Sequence, residues 1–267
     1  MTPHPTPYPD VNEALNRLLS DVQLALKNHF VGLYLYGSLA SGDFDPGRSD
    51  VDFVIITDGN FPDGTVQALD AMHARIAASG LKWAAKLEGA YVPLNTLRRH
   101  APDGRPCPTL NEGRFYSATL GSDWVIQRHI IRECGIVVAG PEPRPLIDPV
   151  QPDDLRWAVQ AILREWWAPM LTNPAWVRGR EYQAFAVQTM CRALYTLEHG
   201  EIVSKPAAAR WARARVGARW GTLIDQALAW PREPHPDSLT ETLEFIRYTM
   251  ERSQEYAIGV QNSFYHE

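Results

Sequence analysis

Apolar residues first recur at helical spacing. Across residues 10–28, Val11, Leu15, Leu18, Leu19, Val22 and Leu26 fall three or four apart, which predicts one amphipathic helix. The period then shortens. Residues 29–35 are rich in branched and aromatic side chains and predict a strand. A polar turn, GSLASGDFDPGRS, leads to a second apolar strand, VDFVIIT. FPDG breaks the chain at 61–64; a helix over about 66–79 and a third strand around 83–92 follow. This order predicts an α+β fold, a small mixed sheet with helices packed against it. Residues 93–122 carry Gly and Pro with little periodicity and predict an irregular, lid-like stretch. A helix over 123–134 and a short strand, IVVAG, close the first half.

The segment GPEPRPLIDPVQP at 140–152 holds five prolines and is the best candidate for a linker. It divides an expected domain at 1–148 from a second at 149–267. Beyond it every periodic stretch is helical. Leu155, Ala158, Val159, Ile162, Leu163 and Trp166 form one stripe. Phe185, Val187, Met190, Leu194 and Leu197 form another, and Leu239, Leu243, Ile246, Tyr248 and Met250 a last one. An all-α bundle is expected there. Residues 1–9 carry four prolines and predict an extended or disordered lead-in.

Composition narrows the functional classes. The chain has 267 residues, 45% apolar and 21% charged, with a net charge of −5. A mildly acidic chain lacks the broad basic surface that binds phosphate backbones, so no nucleic acid partner is expected; the balance suits a cationic small molecule. The three cysteines, Cys107, Cys134 and Cys191, form no CxxC pair, which argues against a zinc site or a disulfide framework and for a reducing, cytoplasmic setting. The N-terminus has no basic, apolar leader, and no run approaches the roughly 18 apolar residues of a membrane helix, so no membrane association is expected. A monomer or weak homodimer is anticipated.

The chemistry-bearing segment is Gly37-Ser38 followed by Ser49-Asp50-Val51-Asp52. Asp50 and Asp52 are two apart on a predicted strand, so both carboxylates face one side. Two carboxylates converging from a rigid strand call for a cation. Mg²⁺ takes one or two carboxylates plus substrate phosphates. Gly37 lets the backbone approach a phosphate, and Ser38 adds a hydroxyl donor. Glu88, in the third predicted strand, is placed to take a proton from an attacking hydroxyl or to join a metal site. A DxD pair alone is common and weak. The ordered set of strand, GS, loop, SDxD, strand, helix, strand and Glu is far less common.

At these residues the chain resembles the nucleotidyltransferase superfamily with a DNA-polymerase-β-like palm. As a whole it resembles the aminoglycoside 3''/9-adenylyltransferases. LEGAYV resembles the strand bearing that family's catalytic Glu, GPEPRPLIDPVQPDDL its inter-domain link, and CRALYTLEHGEIVSKPAAARWA the helix–turn–helix that supplies an Arg and a Lys to ATP. The resemblance implies transfer of AMP from ATP to a hydroxyl of a streptomycin- or spectinomycin-like molecule. It implies Asp50, Asp52 and Glu88 around two Mg²⁺ ions, with Glu88 as base. Gly37, Ser38, Ser49, Arg192 and Lys205 would bind ATP. The leaving group is highly anionic, so cations such as Arg192 and Lys205 are needed.

Candidates for the substrate side are Glu112, Trp176 and Glu181, the last standing near where the family carries an acidic residue. Trp166, Trp167 and Trp176 could line a substrate cleft, although such residues more often belong to a core and its rim. Two other readings compete. One keeps the palm and makes a protein the acceptor, as in antitoxin-like enzymes; Arg192 and His199 loosely resemble the Arg–His motif of small helical RNases found beside such palms. The other is a non-catalytic nucleotide-binding regulator, which would not need Glu88.

Overall fold

The structure, a computed structural model, describes residues 4–59, 61–62, 64–99, 105–233 and 237–256. The chain forms two compact units, Met1–Pro149 and Val150–Glu267.

The first unit opens with α1 (Pro9–Leu26), where a proline occupies the first turn and Asp10 complements the helix dipole. Its buried face is Val11, Ala14, Leu15, Leu18, Val22 and Leu26. Residues 5–7 bend and are tethered to α1: Asn12 Nδ2 donates to the Thr6 carbonyl at 2.7 Å, and the Thr6 hydroxyl donates to Asn12 Oδ1 at 2.8 Å. Residues 1–3 of the expected lead-in lie outside the described residues. The elements that follow are β1 (Phe30–Leu35), a one-turn α2 (Gly37–Ser41), β2 (Val51–Thr57), α3 (Thr65–Ala77) and β3 (Leu87–Pro93). Next come α4 (Leu94–Arg98), β4 (Cys107–Asn111), β5 (Arg114–Ala118), α5 (Asp123–Cys134) and β6 (Ile136–Ala139).

The six strands form one mixed sheet in the order β5-β4-β3-β2-β1-β6. Among the described residues only β2 and β3 run parallel; the other pairs are antiparallel. On one face α1 and Leu69, Met72 and Ile76 of α3 cover Leu33, Leu35, Phe53, Ile55 and Tyr91. The alternate residues Tyr34, Val54, Ile56, Ala90 and Val92 are buried as well. Central strands buried on both faces read as continuous apolar runs, which is how VDFVIIT reads.

Two expectations need correction. The third strand starts at Leu87, because 84–86 form a 3₁₀ turn. The stretch 93–122 is not an irregular lid: α4 packs against β2 and β3, and β4–β5 form a hairpin that extends the sheet. Residues 100–104 of that stretch lie outside the described residues. The hairpin turns on Glu112 and Gly113, both at positive φ (49° and 71°), the pair of left-handed conformations that a two-residue turn requires.

Among the described residues, the second unit has only helical regular elements. It comprises α6 (Pro152–Ile162), a π turn at Leu163–Trp167, α7 (Ala168–Thr172), a 3₁₀ turn at Trp176–Arg178, α8 (Arg180–His199), α9 (Lys205–Arg215), α10 (Ala218–Ala229) and α11 (Leu239–Ser253). A capping box starts α6, with the Gln151 amide donating to Asp154 at 2.9 Å. The central helix is α8, which packs against α6, α9, α10 and α11. Its buried face holds Ala184, Val187, Met190, Cys191, Leu194 and Leu197. Phe185, expected in that stripe, is instead 39% exposed. In α11 the buried positions are Thr242, Phe245, Ile246, Thr249 and Ser253, and the larger residues of the expected stripe are only partly covered, Ile246 excepted. Trp167 belongs to the core, whereas Trp166 and Trp176 are 55% and 66% exposed.

His73 of α3 is buried among Phe53, Tyr91 and Phe115, with Nε2 at 2.7 Å from the Tyr91 hydroxyl. Burial depresses its pKa from 6.5 to about 4. Between those values the unfolded chain binds a proton that the folded chain excludes. Stability from this group is therefore complete above pH 6.5 and is lost as pH falls toward 4, by about 3 kcal/mol in all. Denaturant titrations at pH 7 and pH 4.5 are expected to show this loss in the wild type and a clearly smaller one in His73→Gln.

Candidate active site

The strand ends bring the carboxylates together. Asp50 precedes β2 and Asp52 is its second residue; Glu88 is the second residue of β3, and the parallel register sets Asp52 directly beside Glu88. All three are partly exposed, while Phe53–Ile56 and Ala90–Val92 beyond them are buried. The strands anchor in the core, and the acids stand where the sheet opens to solvent. Gly89 makes the pairing close: a Cβ there would lie 2.0 Å from the Phe53 carbonyl oxygen.

The loop before β2 is built by side chains. Phe44 lies between Tyr8 and Trp83, with ring centroids at 4.7 and 5.3 Å. Asp45 organises the turn: its carboxylate accepts the Gly47 amide at 2.9 Å and its carbonyl accepts the Ser49 amide at 2.8 Å. The Ser49 hydroxyl accepts the Asp45 amide at 3.0 Å, so this residue closes the loop that delivers Asp50.

Gly37 opens α2 at φ +61°, and a Cβ on it would lie 1.9 Å from Asp52 Oδ2. No L side chain fits both the backbone angle and the space. The backbone of the Gly-Ser corner thus lies directly against the Asp52 carboxylate, with Ser38 next in the same turn. Tyr36 ties the corner to the strand by donating its amide to the Asp52 carbonyl at 3.1 Å.

Crowding of negative charge marks the site. Burial raises the Glu88 carboxyl above its ordinary value, and the Asp50 carboxylate adds to the rise; the Glu112 amide, donating to Glu88 Oε1 at 3.1 Å, opposes it. The buried Tyr36 phenol is raised well above its usual value, by burial first and then by Asp52, Asp123 and Glu88. Lys86 Nζ lies 3.0 Å from Asp50 Oδ1 and offsets part of that charge.

Among the described residues no group of three or more His, Cys, Asp or Glu side chains gathers tightly enough to hold a metal ion unaided. Asp50 turns to Lys86 and Glu88 to the Glu112 amide. The donor chemistry nevertheless fits Mg²⁺, a hard cation that needs only one or two protein carboxylates and completes its shell with water and phosphate.

The other expected residues fall in two places. Glu112 stands in the first unit at the β4–β5 turn, and its backbone reaches Glu88. Trp176, Glu181, Arg192 and Lys205 stand in the second unit. Trp176 and Glu181 are exposed at the entry to α8, Arg192 is partly buried further along it, and Lys205 is the first residue of α9, capped by Ser204. The His199 ring packs against Tyr195 and Trp211, with centroids at 4.4 and 5.5 Å. Three neighbours escaped the sequence reading. Lys86 carried a signal, standing two residues before Glu88. Tyr36 carried one too, directly preceding Gly37, whereas Asp123 carried none: α5 brings it near by packing on α2.

Comparison with known proteins follows the same division. Residues 15–98 match the family model described as nucleotidyltransferase domain, and 145–254 match that described as aminoglycoside adenylyltransferase, C-terminal domain. The chain is similar to an aminoglycoside (3'') (9) adenylyltransferase of Escherichia coli, 26% identical over 253 residues that span 90% of this chain and 93% of the relative. It is also similar to a relative of the same description from Rhizobium radiobacter, at 31% over 140 residues, 51% of this chain and 49% of the relative. In fold it resembles a spectinomycin adenyltransferase from Enterococcus faecialis solved with ATP and spectinomycin, with a TM-score of 0.72 and 18% identity over 91% of this chain and 98% of that one.

The Gly37 contact yields a direct test. Gly37→Ala is expected to displace the Asp52 carboxylate and lower turnover by about 10²-fold, the scale set by an ångström of misplacement. Steady-state rates normalised to the folded fraction check it, with a lowered melting temperature expected alongside from the strained positive φ.

Proposed function

We propose that this chain, which belongs to the aminoglycoside 3''/9-adenylyltransferase family of nucleotidyltransferases, transfers AMP from ATP to a hydroxyl of a cationic, streptomycin- or spectinomycin-like molecule and releases pyrophosphate. The observation that carries the reading is the register pairing of Asp52 with Glu88 beside a glycine that no other residue could replace.

Asp50 and Asp52 are the residues that would hold magnesium. When bound, the ion would neutralise phosphate charge and favour in-line displacement at the α-phosphorus. The Gly37-Ser38 corner lies against phosphate oxygens, where backbone amides and the Ser38 hydroxyl donate. Glu88 accepts the proton of the attacking acceptor hydroxyl, and the Glu112 amide orients that carboxylate. Arg192 and Lys205 bind the triphosphate and stabilise the departing pyrophosphate. Glu112, Trp176 and Glu181 are the side chains proposed for the acceptor, whose ammonium groups suit acidic and aromatic partners. Among the described residues no helix is long and apolar enough to cross a membrane.

The test is direct. With α-labelled ATP and magnesium, label is expected on an aminoglycoside from a panel that includes streptomycin and spectinomycin, and expression in a susceptible host is expected to confer resistance to the labelled compound. Label appearing on protein instead would overturn the acceptor assignment. Chelation by EDTA is expected to abolish transfer, and added Mg²⁺ to restore it. Glu88→Gln is expected to leave ATP binding intact, measured by calorimetry, while turnover falls roughly 10²–10⁴-fold, the range for a lost general base.

A further inference from the structure

The Lys205 ammonium lies 4.3 Å from the centroid of the Phe185 ring. A cation within about 6 Å of an aromatic face is attracted by the ring quadrupole. Both residues belong to the second unit, on α8 and α9, which pack closely together. Phe185 is not part of the buried face of α8. It lies on the opposite, less buried stripe, where Tyr182, Phe185, Thr189 and Arg192 succeed one another three or four apart. Phe185 and Arg192 are seven residues apart, two helical turns, so they project from one side.

The ring is held from behind. The buried Trp167 stacks on Phe185 at 6.1 Å with planes 29° apart, and Tyr182 packs at 5.4 Å. Tyr182 is fixed in turn by a hydrogen bond from Trp166 Nε1 to its hydroxyl at 3.2 Å. Trp167 thus reaches both rings, at 6.1 Å from each, and its neighbour Trp166 reaches Tyr182. The π turn at Leu163–Trp167 sets them there: the Ala168 amide donates to the Leu163 carbonyl, five residues back, just before Pro169, which has no amide to give.

We propose that Phe185 is a positioning residue for Lys205, its face holding the ammonium on the side of α8 that also presents Arg192, so that the two cations meet a polyphosphate together. The proposal deepens the reading above and rests on its assignment of Lys205 to the ATP triphosphate. A lysine at the first position of a helix has its charge opposed by the helix dipole. The electron-rich ring face offsets that opposition before ATP arrives, and the phosphates then meet a cation already ordered. Simple packing of the lysine stem over an apolar residue is the competing account, and it makes no demand on the ring's electrons.

The experiment compares Phe185→Leu, Phe185→Tyr, Lys205→Ala and the Phe185→Leu/Lys205→Ala pair in the full chain, reading KM for ATP, kcat and KM for the acceptor. Phe185→Leu is expected to raise KM for ATP by about 3- to 10-fold, the scale of one partly exposed cation–π contact, with any fall in kcat no larger than that factor and the acceptor KM unchanged. Phe185→Tyr is expected to restore the wild-type value. In the Lys205→Ala background the Leu substitution is expected to add nothing. Pentafluorophenylalanine at position 185 keeps the ring's shape and reverses its quadrupole, and is expected to match the Leu variant, which separates the electronic effect from any loss of folding. Additive effects in the pair, or a wild-type KM for the fluorinated ring, would overturn the proposal and leave the Lys205 assignment standing. An unchanged KM in Lys205→Ala would remove that assignment, and with it the proposal.

Discussion

The parallel pairing of β2 with β3 is the constraint on which the site depends. It seats Asp52 beside Glu88 on neighbouring strands, about 4.8 Å apart in the hydrogen-bonding direction, with Asp50 one step away. Left alone, like charges at that spacing repel. What holds them is the rest of the strands: Phe53 to Ile56 and Ala90 to Val92 are buried from both sides, and slipping either strand by one residue would exchange its two faces. The sheet's hydrophobic register therefore determines the acidic geometry. The neighbouring elements answer to the same demand. Gly89 lets the strands close, Gly37 leaves room for the Asp52 carboxylate, and Lys86 supplies one compensating charge.

Charge organises the remainder. The first unit concentrates carboxylates; burial first, and these neighbouring charges second, raise the Tyr36 and Glu88 pKa values. The second carries the cations assigned to the triphosphate, on α8 and at the start of α9. A nucleotidyl transfer needs both: acids to gather a divalent ion and a base, and cations to receive the leaving group.

The entry to α8 presents Trp176 and Glu181 in the open, and the following turns present aromatic rings. Such a surface suits a ligand with both ring faces and ammonium groups.

Helical and strand periodicity determined much of the fold from sequence: α1, β1, β2, α3 and α5 lie close to where the sequence places them, because each buries one face or run, and the half-buried β6 falls where its short apolar run stands. The ordered acids Asp50, Asp52 and Glu88 were legible too, since spacing along a strand dictates which side a carboxylate takes. Other features were decided only by the tertiary structure. The β4–β5 hairpin escaped because β5 is largely exposed and so lacks an apolar alternation, even though Glu112-Gly113 stands at its turn. Phe185 read as core because apolar character was its only signal; it stays in the open because α8 meets its neighbours along another face. Periodicity reports which side of an element is greasy. It does not report which strand lies alongside, which amide reaches Glu88, or which ring lies under Lys205, because those contacts join residues that are neighbours in space and not in sequence.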